Sequence, residues 1–214
     1  MPVRKIPKNY RNITGIQAID KSVGNAQFES TLERDFLTLL NFSREVRLVE
    51  VQPLKIPMDP DDPSKSYTPD VLVEFDDHLG WKPWLCEVKY RQDIKRHWKK
   101  LKPKFLAAIR YCRSHGWRFR IVTEVEIRTP LLPNAKFLTG YLNRKPSAER
   151  EQKILAILNQ QGMSVNELLQ VISPDELAQL DWIPVIWHLV AVGRISADLN
   201  SPLTMISALW IDHG

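Results

Sequence analysis

From Ser30 onward the apolar positions Leu32, Phe36, Leu39 and Leu40 recur at i, i+4, i+7 and i+8, which lines one face of an α-helix ending near Asn41–Phe42. Residues 1–27 carry no such period and mix basic with small polar side chains, so they read as an arm or irregular lead-in whose order would depend on a partner. Val46–Val51 reads as a strand, with Pro53 limiting its central pairing and Leu54–Ile56 continuing it at an edge. The acidic stretch MDPDDPSK follows as a loop. Tyr67–Phe75 and Trp84–Lys89 read as the two strands of a hairpin, turning through Asp76–Pro83 around Gly80. Residues 93–114 have helical spacing in Leu106, Ile109, Tyr111 and Cys112, with Pro103 expected to kink or split the helix and Gly116 to stop it. WRFRIVTEVEI, over Trp117–Ile127, alternates as another strand, and Ala135–Asn143 reads as a short closing helix. Helix, strands, helix, strand, helix is the order of an α/β domain.

Beyond Pro146 the texture changes. Ser147 precedes EREQKILAILNQ, Ser164 with Glu167 forms a capping box before LLQVI, and Ser173, Pro174 and Glu176 repeat the device. Asp181 opens DWIPVIWHLVAVG, and two strand-like runs, Arg194–Asp198 and Leu203–Ile211, meet around Asn200–Pro202. Helices followed by a β-hairpin make a winged-helix plan. The expected organisation is an arm over 1–27, a main domain over 28–146 and a small winged-helix-like domain over 147–214.

Charge divides at the same place. Residues 147–214 hold three cations and eight acids, a net −5, while the other 27 cations and 17 acids give residues 1–146 a net +10. The first part has the sign of a surface that meets a polyanion, and the tail does not share that partner. No run approaches the roughly 20 apolar residues that span a bilayer, and MPVRKIPKNYR lacks the apolar stretch of a signal peptide, so a cytoplasmic protein without membrane contact is expected. Cys86 and Cys112 are the only cysteines, which excludes a disulfide framework and a multi-cysteine zinc site; both read as small buried hydrophobes.

The chemistry concentrates on the hairpin. With its turn centred between His78 and Leu79, Asp70 falls opposite Glu87 and Leu72 opposite Leu85; alternation then puts Glu87 and Lys89 on one face, joined by Asp70 across the pair. Two carboxylates facing each other call for a neutralising cation, and their hard oxygens suit magnesium or manganese, completed by water and substrate phosphate. Lys89 would orient or deprotonate the attacking water, or stabilise charge on the phosphate, and the sequence leaves these roles open. Charges at a solvated hairpin end are the bland alternative. The context argues against it: nine cations follow within Arg91–Arg113, with Asp93 the only acid. Among them Lys95, Arg96, Lys99, Lys100, Lys102 and Lys104 are candidates for holding a DNA backbone.

FESTLERDFLTLLNF, VRLVEVQPLKI, SYTPDVLVEF, LCEVK and FRIVTEVEIR occur in the order and spacing of one family, and Phe28 to about Asn143 resembles the TnsA endonucleases of bacterial cut-and-paste transposons. The resemblance implies a restriction-endonuclease-like core, a mixed sheet flanked by helices, with magnesium dependence. It also implies cleavage of the non-transferred strand at the 5′ ends of the element, beside a DDE transposase that cuts and joins the other strand and a regulator AAA+ ATPase. Its catalytic positions fall on Asp70, Glu87 and Lys89, plus Glu33, with Asp70, Glu87 and Glu33 as metal ligands; some members carry Gln where this chain has Glu87. Glu33 has a second explanation, because Ser30 to Glu33 is also a capping box whose carboxylate would bond the Ser30 amide. Gln52, in VEVQP, is a further candidate to line the site.

Two rival functions remain at this point: a stand-alone restriction or junction-resolving nuclease, and a non-catalytic DNA-binding adaptor. For the tail, DWIPVIWHLVAVG supplies almost none of the Arg, Asn or Gln a base-reading helix needs. Its Trp182, Ile186, Trp187, Val190 and Ala191 are spaced for a core or a protein interface, so the tail is expected to dock a protein, the regulator ATPase or the DDE transposase.

Overall fold

The computed structural model describes residues 15–17, 19–24, 26–59 and 62–212; the start of the expected arm, residues 1–14, lies outside them. By its internal contacts the chain divides between Arg128 and Thr129 into two compact units.

The first unit opens with β1 (Gly15–Gln17) and β2 (Ala26–Phe28), an antiparallel pair. Here the lead-in is more ordered than its missing period suggests. Ile19, Ala26 and Phe28 are buried in the core, and Ser22 bridges Val49 in parallel, so these residues extend the edge of β3. The helix α1 (Thr31–Phe42) follows; Leu32, Phe36 and Leu40 of its expected stripe are buried, Leu39 packs half-buried against the same cluster, and Leu37, off the stripe, is buried as well. Next come β3 (Val46–Val51), β4 (Ile56–Asp59) and β5 (Asp62–Tyr67). The last two pair antiparallel across most of the stretch expected to be loop, anchored by Ile56 opposite Tyr67, both buried. Burial of that pair outweighs the turn tendency of the Pro and Asp residues. The run expected as one strand from Tyr67 breaks at Thr68–Asp70 before β6 (Val71–Phe75) begins.

A single 3-10 turn at Asp77–Leu79 leads to β7 (Trp84–Val88), then α2 (Arg91–Arg96) and α3 (Trp98–Ser114). The helix splits at His97 (φ −110°), not at Pro103, which sits inside α3. Proline has no N–H to give the Lys99 carbonyl, and Lys99 is an exposed residue. Gly116 ends α3 as expected: at φ +71° it takes the left-handed position, and Trp117 N–H reaches back to the Cys112 carbonyl at 2.8 Å. The alternating run Trp117–Ile127 is only half strand. After β8 (Arg118–Val122), Thr123 caps the short helix α4 (Glu124–Ile127) and Glu126 accepts the Thr123 N–H at 2.9 Å, a capping box hidden within an alternating pattern.

The central sheet has the order β3-β6-β7-β8, antiparallel except for the parallel pair β7-β8. It is the expected mixed sheet flanked by helices. Val71, Val73, Cys86 and Val88 join the α1 side chains in one core cluster, while Leu72 and Leu85 face Ala107, Ala108 and Cys112 of α3 in another. Both cysteines are free and buried, as read from the sequence. Burying a large aliphatic such as Leu85, 0% exposed, contributes roughly 1.5–3 kcal/mol, so these two clusters fix the hairpin that carries the candidate site.

The second unit comprises α5 (Leu131–Thr139), α6 (Ala148–Leu158), β9 (Met163–Ser164), α7 (Val165–Ile172), α8 (Glu176–Leu180), α9 (Ile183–Ala191), β10 (Ser196–Ala197) and β11 (Ala208–Trp210). The strands form an antiparallel sheet ordered β10-β11-β9. Ser147 caps α6, and Ser164 with Glu167 forms the expected box on α7. The third cap is Asp175; Ser173 closes α7, and its hydroxyl accepts the Asp175 N–H at 3.2 Å. Pro146, where the charge changes sign, lies within this unit between α5 and α6. Among the described residues no helix is long and apolar enough to cross a membrane.

Candidate active site

The hairpin register is the expected one: Val71 pairs with Cys86, Leu72 with Leu85 and Val73 with Trp84. Asp70 stands one step beyond β6, and the pairing continues through it. Its N–H donates to the Cys86 carbonyl at 3.0 Å, while its Oδ2 accepts the Val88 N–H at 2.7 Å. The carboxylate thus stands in for a ladder carbonyl, which fixes its rotamer at the end of the sheet. Glu87, buried on β7, has both oxygens engaged: Oε1 accepts from Lys89 Nζ at 3.0 Å and Oε2 from Tyr67 Oη at 2.5 Å. Asp70, Glu87 and Lys89 come together as the alternation requires. Tyr67 has no such signal in the sequence. It reads as an ordinary strand residue and reaches Glu87 only because the chain leaves the strand at Thr68–Asp70.

Electrostatics reports the crowding. Burial first, then the Glu87 carboxylate, pushes the Asp70 acid well above the usual carboxylate range. Burial opposes protonation of Lys89, but Asp70 and Glu87 outweigh it and hold the ammonium above its ordinary value. Burial, then Glu87, also keeps the Tyr67 phenol protonated, so it donates to the carboxylate.

Glu33 lies in the first turn of α1, where Ser30 Oγ accepts its N–H at 3.2 Å. Its own carboxylate accepts the Glu29 N–H at 2.8 Å and the Ser30 hydroxyl at 2.9 Å; it does not take the Ser30 amide. Burial raises its proton affinity against the Glu29 N–H and the Ser30 hydroxyl, which favour the charged form; the Glu29 carboxylate adds to the rise and the Lys89 charge opposes it. Capping and proximity to the charged cluster therefore coexist. Of the basic candidates, Lys95 and Arg96 are exposed on α2, and Lys99, Lys100 and Lys102 are exposed on α3. Lys104 differs: it is partly buried, with Nζ 5.6 Å from the centre of the Tyr67 ring.

Comparison with protein families gives two adjoining matches. Residues 43–124 match the family described as TnsA-like endonuclease N terminal, and residues 126–199 match the TnsA endonuclease C terminal. The chain belongs to the TnsA endonuclease family. It is a nuclease of restriction-endonuclease-like fold. The change from one TnsA match to the other falls close to the division after Arg128. Asp70, Glu87, Lys89 and the basic run all lie in the first match; Glu33 precedes it. The second TnsA match carries the family past Asn143, where the resemblance read from the sequence ended. A comparison with individual curated proteins gives no match.

Among the described residues no three His, Cys, Asp or Glu side chains converge closely enough to cage an ion by themselves. The donor set still suits one hard divalent cation. Asp70 and Glu87 place two carboxylates at one end of the sheet, where burial and the Glu87 charge push Asp70 upward and Lys89 pulls the other way. Magnesium bound to nucleic-acid substrates commonly takes only one or two carboxylates, with water and phosphate oxygens supplying the rest.

Proposed function

We propose that this chain is the magnesium-dependent DNA endonuclease subunit of a heteromeric transposase, cleaving the non-transferred strand at the 5′ ends of the element during cut-and-paste transposition. The observation that carries this reading is the convergence of Asp70, Glu87 and Lys89 at one end of the sheet, inside the segment that matches the endonuclease family. Asp70 and Glu87 would hold the cation, Mg2+ or Mn2+, with Glu33 as the further ligand. When bound, the cation supplies Lewis-acid polarisation of the phosphate and a more acidic water. Tyr67 fixes Glu87 by occupying Oε2. Lys89, kept protonated by its two carboxylate neighbours, stabilises charge on the phosphate and orients the water, since an ammonium has no free electron pair to remove a proton. The exposed cations of α2 and α3 hold the DNA backbone without reading bases.

The partners are double-stranded DNA at the transposon ends, a DDE transposase and an AAA+ regulator, in the bacterial cytoplasm. The regulator contact is assigned to the acidic, winged-helix-like C-terminal unit. Two features support it. The α9 run Val185–Ala191 is buried, with the Trp187 ring 5.2 Å from that of Phe137, so it offers no reading face to DNA. Leu177 and Leu180 of α8 are exposed, 77% and 59%, among acidic neighbours. The test is a denaturing-gel assay of end-labelled transposon DNA with the chain, transposase and regulator. Mg2+ or Mn2+ is expected to support cutting of the 5′-end strand; equal cutting in excess chelator would overturn the metal-dependent reading.

A further inference from the structure

Gln52 combines three features that ordinary loop residues lack. Among the described residues it is the only non-glycine with a positive φ, at 50°. It is 7% exposed, and its Oε1 is buried without a hydrogen-bond partner. Its remaining groups span two elements that meet only through the fold: its N–H donates to the Asp70 carbonyl at 2.8 Å, and its Nε2 donates to Glu29 Oε1 at 3.2 Å. Glu29 in turn gives its N–H to the Glu33 carboxylate at 2.8 Å. A chain of hydrogen bonds therefore runs from Asp70 through Gln52 and Glu29 to Glu33.

Each feature alone has a plain explanation, and together they do not. A turn needing a left-handed residue is normally given Gly or Asn, because a longer side chain there adds strain without gain. A buried amide oxygen is normally paired, since leaving it unpaired forfeits its hydration. Strained backbone and an unsatisfied polar atom on one residue, beside buried carboxylates, mark a side chain retained for what it positions.

We propose that Gln52 is a positioning residue that sets Glu33 against Asp70 for shared use of one divalent cation, its unpaired Oε1 accepting a hydrogen bond from water in that cation's shell. This rests on the metal-dependent nuclease reading above. The backbone half of the job, the N–H to Asp70, survives any substitution that tolerates the left-handed conformation. The carboxamide half does not, and this separates a positioning role from a purely structural one.

The experiment compares the full-length parent with Gln52→Gly and Gln52→Asn, using calorimetric Mn2+ titration, thermal unfolding in chelator, and cleavage kinetics with the partner proteins. Glycine suits φ 50°, so Gln52→Gly is expected to unfold at or above the parent temperature. It is expected to bind Mn2+ roughly 10- to 100-fold more weakly and to lose a similar factor in kcat, with KM for DNA unchanged. Gln52→Asn, which also accepts the left-handed conformation but is one methylene short of Glu29, is expected to match it. Parental Mn2+ affinity in either folded variant overturns the proposal, as does loss of folding in both, which would make the residue structural. A parent that binds no Mn2+ fails differently: it removes the metal-site reading itself.

Discussion

Asp70→Asn separates the charge of the site from its shape. The substitution keeps an oxygen to accept the Val88 N–H, now 2.7 Å from Asp70 Oδ2, and removes the negative charge that burial and Glu87 oppose. An acid whose pKa is raised on folding holds its proton more tightly in the native chain than in the unfolded one. Stability is therefore lost as pH climbs from the unfolded value, about 3.9 for Asp, through the raised native value, and above both the full penalty stands. Like charges opposed across a sheet cost up to about 1 kcal/mol, and burial of the charge adds about as much again. Against that gain, the bond from Val88 weakens from charge-assisted to neutral, a loss of about 1 kcal/mol, and Asp70 keeps some solvent contact that screens its interactions. A net gain near 1 kcal/mol corresponds to a melting temperature roughly 2–4 °C higher. The assay is thermal unfolding by circular dichroism in chelator at pH 8 and pH 4, repeated with Mg2+. The variant is expected to melt above the parent at pH 8, with the advantage shrinking toward pH 4. Saturating Mg2+ should reverse the order, because a ligand at 100 times its Kd adds about 2.7 kcal/mol to whichever protein binds it. A variant that melts below the parent at pH 8 in chelator, or an advantage indifferent to pH, would refute the reasoning.

Two further outcomes follow from the site. Tyr67→Phe leaves the buried Glu87 Oε2 without its donor, at a cost of about 1.5–3 kcal/mol in urea unfolding together with slower cleavage; unchanged stability would mean the 2.5 Å hydrogen bond contributes nothing. Replacing Lys99, Lys100 and Lys102 together with Ala should weaken DNA binding and flatten the dependence of log affinity on log salt by roughly 0.9 for each phosphate that is no longer neutralised, whereas an unchanged slope would place the DNA elsewhere.

What could be read in advance divides along physical lines. The register that joins Asp70 to Glu87 was legible because side-chain alternation and one turn position determine it, and α1 was legible because its apolar stripe is long. The β4-β5 hairpin was not: its anchor, Ile56 opposite Tyr67, is a tertiary pairing that overrides the local Pro and Asp preferences. The Thr123–Glu126 capping box stood in plain view, but the alternation of WRFRIVTEVEI continues across it, so the period concealed where the strand stops. The division of the long helix at His97 has no Gly or Pro to mark it, while Pro103, the residue type that ordinarily marks one, sits inside α3. For the site, the three charges were legible and their support was not. Tyr67 and Glu29 act through hydrogen bonds to partners 20 and 23 residues away in sequence, Glu87 and Gln52, and the left-handed backbone of Gln52 leaves no trace in residue type.

Strand-resolved cleavage of transposon-end DNA by the full chain with the proposed transposase and regulator, in Mg2+, tests the central claim most directly when the parent is run beside Asp70→Ala, Glu87→Ala and Lys89→Ala. The parent should cut the strand whose 5′ end belongs to the element, and all three variants, while still folded by circular dichroism, should fail to cut it as the transposase continues on the other strand. Appreciable cleavage of the 5′-end strand by Asp70→Ala would contradict the account.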